Sequence, residues 1–70
     1  MNAAISIIVN GFAETVAAET TLAQLIVDFK EGDRDLIVEH NGRFIYSHQY
    51  EAIRLASGDR VEFINPNFGG

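Results

Sequence analysis

Two Asn-Gly pairs, Asn10-Gly11 and Asn41-Gly42, constrain this chain more than any other feature. Each lies between two runs of strand-forming residues: ISIIV and FAETV around the first, LIVEH and RFIY around the second. Both residues of such a pair tolerate the positive φ that a type I′ turn demands at its centre. Each pair therefore predicts a two-residue β-hairpin. In the first hairpin Ile5, Ile7 and Val9 fall on one face and Ser6 and Ile8 on the other, and Phe12 to Val16 reads as the returning strand.

The segment between the hairpins has a different period. Thr21 followed by Gln24 is a capping-box pattern. Leu22, Leu25, Ile26 and Phe29 then repeat at helical spacing and form one apolar stripe. Lys30 is expected in the last turn, where a cation suits the helix dipole, and Gly32 at the left-handed position that ends the helix. After the second hairpin, SHQYEAIRLAS reads as a connector with a short helical turn, anchored inward by Tyr50, Ile53 and Leu55. Gly58-Asp59 is a turn into the last strand, RVEFI, where Val61 and Phe63 face one way and Glu62 and Ile64 the other.

The first and last strands are the most continuously apolar, which places them centrally. One helix laid across a mixed sheet of four to five strands closes the core in two layers. This is an α+β arrangement, the β-grasp or ubiquitin-like fold. The expected division is a β-grasp domain over 1–64 and a flexible tail over 65–70. Pro66, with no N–H to donate, ends the sheet pairing.

Composition narrows the function. Seventy residues, 47% of them hydrophobic, suffice for one small core. The chain has no cysteine, which removes disulfides, thiolate metal sites and iron–sulfur clusters, and fits a reducing cytoplasm. A net charge of -5 opposes binding to a phosphate backbone and suits a partner with a basic docking surface. The opening MNAAISIIVNG has no basic start and a short apolar run, so neither a signal peptide nor a membrane span is expected.

No nucleophile-and-base pattern, phosphate-cradling glycine loop or zinc spacing occurs, so no catalytic or metal-binding set is assigned. His40 and His48 read as two surface or partly buried imidazoles. Glu31, Asp33 and Asp35 form an acidic run that is either a solvated loop or a contact for a basic partner. Ile8, Phe44, Tyr46 and Ile64 are candidates for the sheet face away from the helix. They are either single exposed apolar residues or, if contiguous, a docking patch. The final Gly69-Gly70 is either a frayed end or a chemical handle. Without Cβ atoms, the two glycines could thread a narrow channel and bring a carboxylate to an active site.

The element order and the Gly-Gly ending together resemble the ThiS/MoaD family of ubiquitin-like sulfur carriers, over almost the whole chain. IIVNG is similar to the family's first strand and turn, TLAQLI to the start of its helix and VEHNGRFI to its middle hairpin. YEAIRLASGDRVEFINPNFGG is the nearest stretch, with Tyr50, Leu55, Gly58-Asp59, Val61-Glu62, Pro66 and Gly69-Gly70. The length suits the ThiS branch.

The resemblance implies a protein co-substrate rather than an enzyme. A ThiF-like activating enzyme would use ATP and magnesium to adenylate the Gly70 carboxylate. Sulfur from a cysteine desulfurase route would replace AMP and leave a thiocarboxylate. A ThiG-like thiazole synthase would take that sulfur for thiamin. Gly70 would carry the chemistry, with Gly69 its flexible neighbour. Other acceptors (molybdopterin, cysteine or transfer RNA) and a ubiquitin-like modifier role stay open. Two positions depart from the family pattern: Ser47-His48 stands where many relatives carry Pro-Arg, and Phe68 precedes the glycines where a small residue is usual.

Overall fold

A computed structural model describes residues 3–31 and 33–66. Five strands form one sheet in the order β2-β1-β5-β3-β4. They are β1 (Ala4–Val9), β2 (Phe12–Ala17), β3 (Ile37–His40), β4 (Arg43–Ile45) and β5 (Arg60–Ile64). One helix, α1 (Leu22–Asp28), and a 3₁₀ turn, Ser47–Gln49, complete the fold. β1 and β5 run parallel at the middle of the sheet, and the remaining neighbours are antiparallel. This is the expected β-grasp, with the two most apolar strands central.

Both hairpins turn as their sequences demand. Asn10 and Gly11 have φ of 51° and 87°, and Asn41 and Gly42 have 53° and 83°. The Asn side chains do more than permit the turn. Asn10 Oδ1 accepts from the Phe63 N–H at 2.8 Å and Asn41 Oδ1 from the Arg60 N–H at 2.8 Å. Each turn therefore grips β5, one from either side, and extends the backbone ladder by a side-chain bond.

The core lies between the sheet and α1. Ile7, Leu22, Leu25, Val38 and Val61 are fully buried, and Val9, Ile45, Leu55 and Phe63 nearly so. Phe29, partly buried at the helix end, tilts against Phe63 with ring centroids 6.4 Å apart.

Seven residues make a short helix, and propensity alone would not hold it. Its free N-terminal N–H groups are all satisfied. Thr21 Oγ1 accepts from Gln24, while the carbonyls of Ile53 and Tyr50 accept from Leu22 and Ala23. The connector thus caps the helix through its backbone, and Tyr50, Ile53 and Leu55 pack against the core as expected. The second half of the capping box does not form, because the Gln24 amide donates to Asp28 Oδ1 at 2.8 Å instead.

The helix ends earlier than its sequence suggests. Lys30, at φ 58°, takes the left-handed position that Gly32 was expected to fill. The N–H of Lys30 donates to the Val27 carbonyl and that of Glu31 to the Ile26 carbonyl. These paired bonds are a Schellman closure, here formed with a lysine at the left-handed position that glycine most often fills. Lys30 therefore lies beyond the last turn, not in it, and Gly32 lies outside the described residues.

Candidate docking face and tail exit

Among the described residues, no layer covers the face of the sheet away from α1. Alternation along β5 points Val61 and Phe63 into the core and Arg60, Glu62 and Ile64 outward. Cross-strand register then defines the neighbours of each outward residue. Ile64 lies opposite Ile37, and Glu62 lies opposite Glu39, which is in turn opposite Phe44. Phe44 and Tyr46 meet edge to face with centroids 4.8 Å apart, and the Tyr46 ring stacks on His48 at 5.8 Å. The exposures of Ile64, Phe44 and Tyr46 are 39%, 52% and 59%.

Three of the four expected patch residues therefore belong to one end of the face. Ile8 stands apart. Its register partner is Arg60, four residues before Ile64 on β5. Roughly 13 Å of strand separates the two positions at about 3.3 Å per residue. Small and polar residues, Ser6, Ala13 and Thr15, surround Ile8 instead.

The apolar end of the face is also where the tail leaves. Asn65 follows Ile64 directly, is half-buried, and donates through Nδ2 to Glu31 Oε1 at 3.2 Å. Pro66 is exposed. Phe68, Gly69 and Gly70 lie outside the described residues. Within the acidic run, Glu31 thus ties the helix end to the tail exit. Asp33 Oδ1 accepts from the Asp35 N–H at 2.8 Å and closes a local turn.

A polar network occupies the opposite end of the sheet. His40 Nε2 lies 2.8 Å from Asp59 Oδ2, and Asn41 Nδ2 donates to Asp59 Oδ1 at 3.2 Å. The Ala56 N–H also donates to Asp59 Oδ2 at 2.9 Å. Burial pushes the Asp59 carboxyl up, but these hydrogen bonds and the charge of His40 outweigh it and hold the group below its ordinary value. Every bond here serves the turn before β5. The network joins the second hairpin to the start of the central strand. His48 is exposed on Tyr46. Among the described residues no three His, Cys, Asp or Glu side chains are grouped to hold a metal, and no helix is long and apolar enough to cross a membrane.

The ThiS family model matches residues 2–70. The chain belongs to the ThiS family. A crystal structure of the thiamine biosynthesis protein ThiS from Geobacter metallireducens is similar to it, with a TM-score of 0.80 and 30% identity. That match covers 94% of this chain and 100% of the other. No functionally curated protein is detectably similar in sequence.

For this ThiS-family chain, sequence reasoning missed two components of the outer face. Ile37 completes the row between Ile64 and the aromatic pair. Its signal was available, because Val38 had to face the core. Glu39 and Glu62 are the second component. They are directly opposed on one face, an arrangement that costs stability. Seeing that pair required the β3–β5 register, which no local pattern encodes.

Proposed function

We propose that this chain is a sulfur carrier whose Gly70 carboxylate is adenylated, converted to a thiocarboxylate and used for thiamin thiazole biosynthesis. The observation that carries the reading is ThiS-family membership over residues 2–70, a span that includes Gly69-Gly70. The name of the similar Geobacter protein supports the thiamin assignment.

In this reading the protein is a substrate of its partners. A carboxylate is a poor electrophile, so a ThiF-like enzyme first joins it to AMP, releasing pyrophosphate. ATP and magnesium belong to that enzyme. Sulfur supplied through a cysteine desulfurase arrives as a persulfide, whose outer sulfur attacks the acyl carbon. A C–S bond forms, the bond to the phosphate oxygen breaks, and AMP leaves. A thiol of the partner then cleaves the resulting acyl disulfide, is itself oxidised to a disulfide, and releases the thiocarboxylate. A ThiG-like synthase consumes the thiocarboxylate, and all of this belongs to the cytoplasm.

The body contributes recognition. Ile64, Ile37, Phe44 and Tyr46 offer an apolar contact beside the tail exit, and Glu39 with Glu62 offers negative charge to a basic partner. Incubation with the activating enzyme, ATP and a sulfur source should give an intact mass raised by the exchange of one oxygen for one sulfur. Removal of Gly70, or a residue added after it, should abolish that product. An unchanged mass with an enzyme competent on another carrier would sink the reading.

A further inference from the structure

β2 is an end strand of the sheet, and among the described residues β1 is its one neighbour. The Ala18 N–H donates to the Ala3 carbonyl at 2.9 Å, in step with the register that pairs Ala17 with Ala4 and Phe12 with Val9. Antiparallel pairs alternate between hydrogen-bonded and non-hydrogen-bonded, so Phe12, Glu14 and Val16 direct their backbone groups to β1. Ala13, Thr15 and Ala17 direct theirs to the open edge. Of these, the Ala17 carbonyl is taken by the Thr20 hydroxyl at 2.6 Å.

Sheets blunt such an edge by shortness, a proline, a lysine or a bulge. The other edge strand, β4, is three residues long. β2 runs for six in unbroken register, with no proline or lysine and Glu14 as its one charge. Its first residue, Phe12, is 72% exposed, more than any other large apolar side chain among the described residues.

We propose that β2 pairs antiparallel with β2 of a second copy of this chain, in the register that sets Thr15 opposite Thr15. A two-fold axis perpendicular to the sheet requires paired residues to share a face. Two central registers satisfy it, Thr15 on Thr15 and Glu14 on Glu14. The second sets like charges directly opposite each other, which destabilises. The first makes a threonine pair, a favoured cross-strand contact, and sets Ala13 opposite Ala17 and Glu14 opposite Val16. Four backbone bonds then form without displacing an existing one. Two join the Thr15 residues, and each Ala17 N–H donates to the Ala13 carbonyl of the other copy. Phe12 falls opposite Ala18 and diagonal to Val16 of the second copy, within reach of an aromatic ring. The two Glu14 carboxylates stand diagonal across the edge, so added salt should tighten the dimer.

The pairing joins two sheets edge to edge, with both outer faces on the same side. β4 is the opposite edge, so the Ile64–Ile37–Tyr46 face and Asn65 stay outside the contact. An edge contact is smaller than the roughly 1,600 Å² of a standard stable interface, so the dimer is weak and forms at high concentration. Neither the pairing nor its test depends on sulfur transfer.

Sedimentation equilibrium of the full chain should show a mass that rises with concentration toward twice that of one chain. Isotope-labelled and unlabelled chains should be mixed for filtered NMR. Nuclear Overhauser contacts between copies should then join the Glu14 Hα to the Val16 Hα, a close pair in this register, and the Phe12 ring to the Val16 methyls. Thr15→Lys places like charges on the two-fold axis and should weaken the dimer about tenfold or more. Thr15 is exposed, so this change leaves the fold intact. Thr15→Pro removes an outward N–H that β1 does not use and should also disperse the dimer. A chain that stays monomeric up to about 1 mM, or a dimer that Thr15→Lys leaves unchanged, would overturn the proposal. Contacts between copies confined to Phe44, Tyr46 or another surface would overturn it too.

Discussion

The side-chain oxygen of Asn10 accepts a hydrogen bond from the Phe63 N–H at 2.8 Å, across 53 positions of sequence. A residue chosen by the first hairpin thus finishes the ladder of the last strand. Asn10 meets two demands at once, a left-handed backbone and a partner for a part-buried donor. Asn10→Ala fails both and should lower unfolding free energy by about 2–4 kcal/mol in urea titration. Asn10→Asp keeps the acceptor and most of the turn preference and should cost about 1 kcal/mol or less. Equal stabilities for the two variants would show that the Phe63 bond contributes nothing.

Lys30 holds a left-handed conformation that suits glycine better. Lys30→Gly should therefore raise stability by about 0.5–1 kcal/mol, seen as a higher urea midpoint at unchanged slope. A loss of stability would mean that the lysine stem makes packing contacts worth more than the backbone strain.

Asp59 makes acid stability predictable in sign. Its carboxyl is held below the ordinary value of 3.8 in the folded chain, so the unfolded chain binds its proton first as pH falls. Its contribution is fully present above about pH 4 and is lost as pH drops through the lowered folded value. The stability gap between the native chain and Asp59→Asn should close as pH falls below 3.8. A gap that widens on acidification would reverse the assignment.

Glu39 and Glu62 oppose each other on the outer face. Glu62→Gln should stabilise the isolated protein by about 0.2–1 kcal/mol, because it removes a like-charge cross-strand pair. The same change should slow association with a basic activating partner and flatten its salt dependence. Stopped-flow binding at two ionic strengths separates the effects, and an unchanged association rate would exclude these carboxylates from the contact.

Tyr46→Ser and Ile64→Ser should weaken binding of the activating enzyme about tenfold or more, since buried apolar anchors dominate such interfaces. Their thermal midpoints should change little, because both side chains are exposed. Ile8→Ser is the internal control and should weaken binding far less. A larger loss at Ile8 than at Tyr46 would relocate the docking face.

How much of this was legible depends on the range of the interactions involved. The Asn-Gly turns, the Thr21 cap and the inward residues of β1 and β5 follow from local chemistry, and all of them form as the sequence suggests. The helix end was misjudged because a lysine, Lys30, takes the left-handed position of the Schellman closure before Gly32 is reached. The outer face was half legible. Alternation exposes Phe44, Tyr46 and Ile64, but only the β3–β5 register joins them through Ile37 and sends Ile8 elsewhere. The side-chain bonds from both Asn residues to β5 were invisible for the same reason, as they link segments distant in sequence.

The position of β5 fixes the order of events on the ribosome. The strand that β1 and β3 both need is the last of the five to be made, and the carbonyls that cap α1 come from residues 50 and 53. Neither hairpin has a sheet to join until Ile64 has been synthesised. A nascent chain stalled before that point would hold only isolated hairpins, which are marginal in water. The body therefore closes late, through long-range contacts, when the segment leading to Gly69-Gly70 is already next in line to emerge.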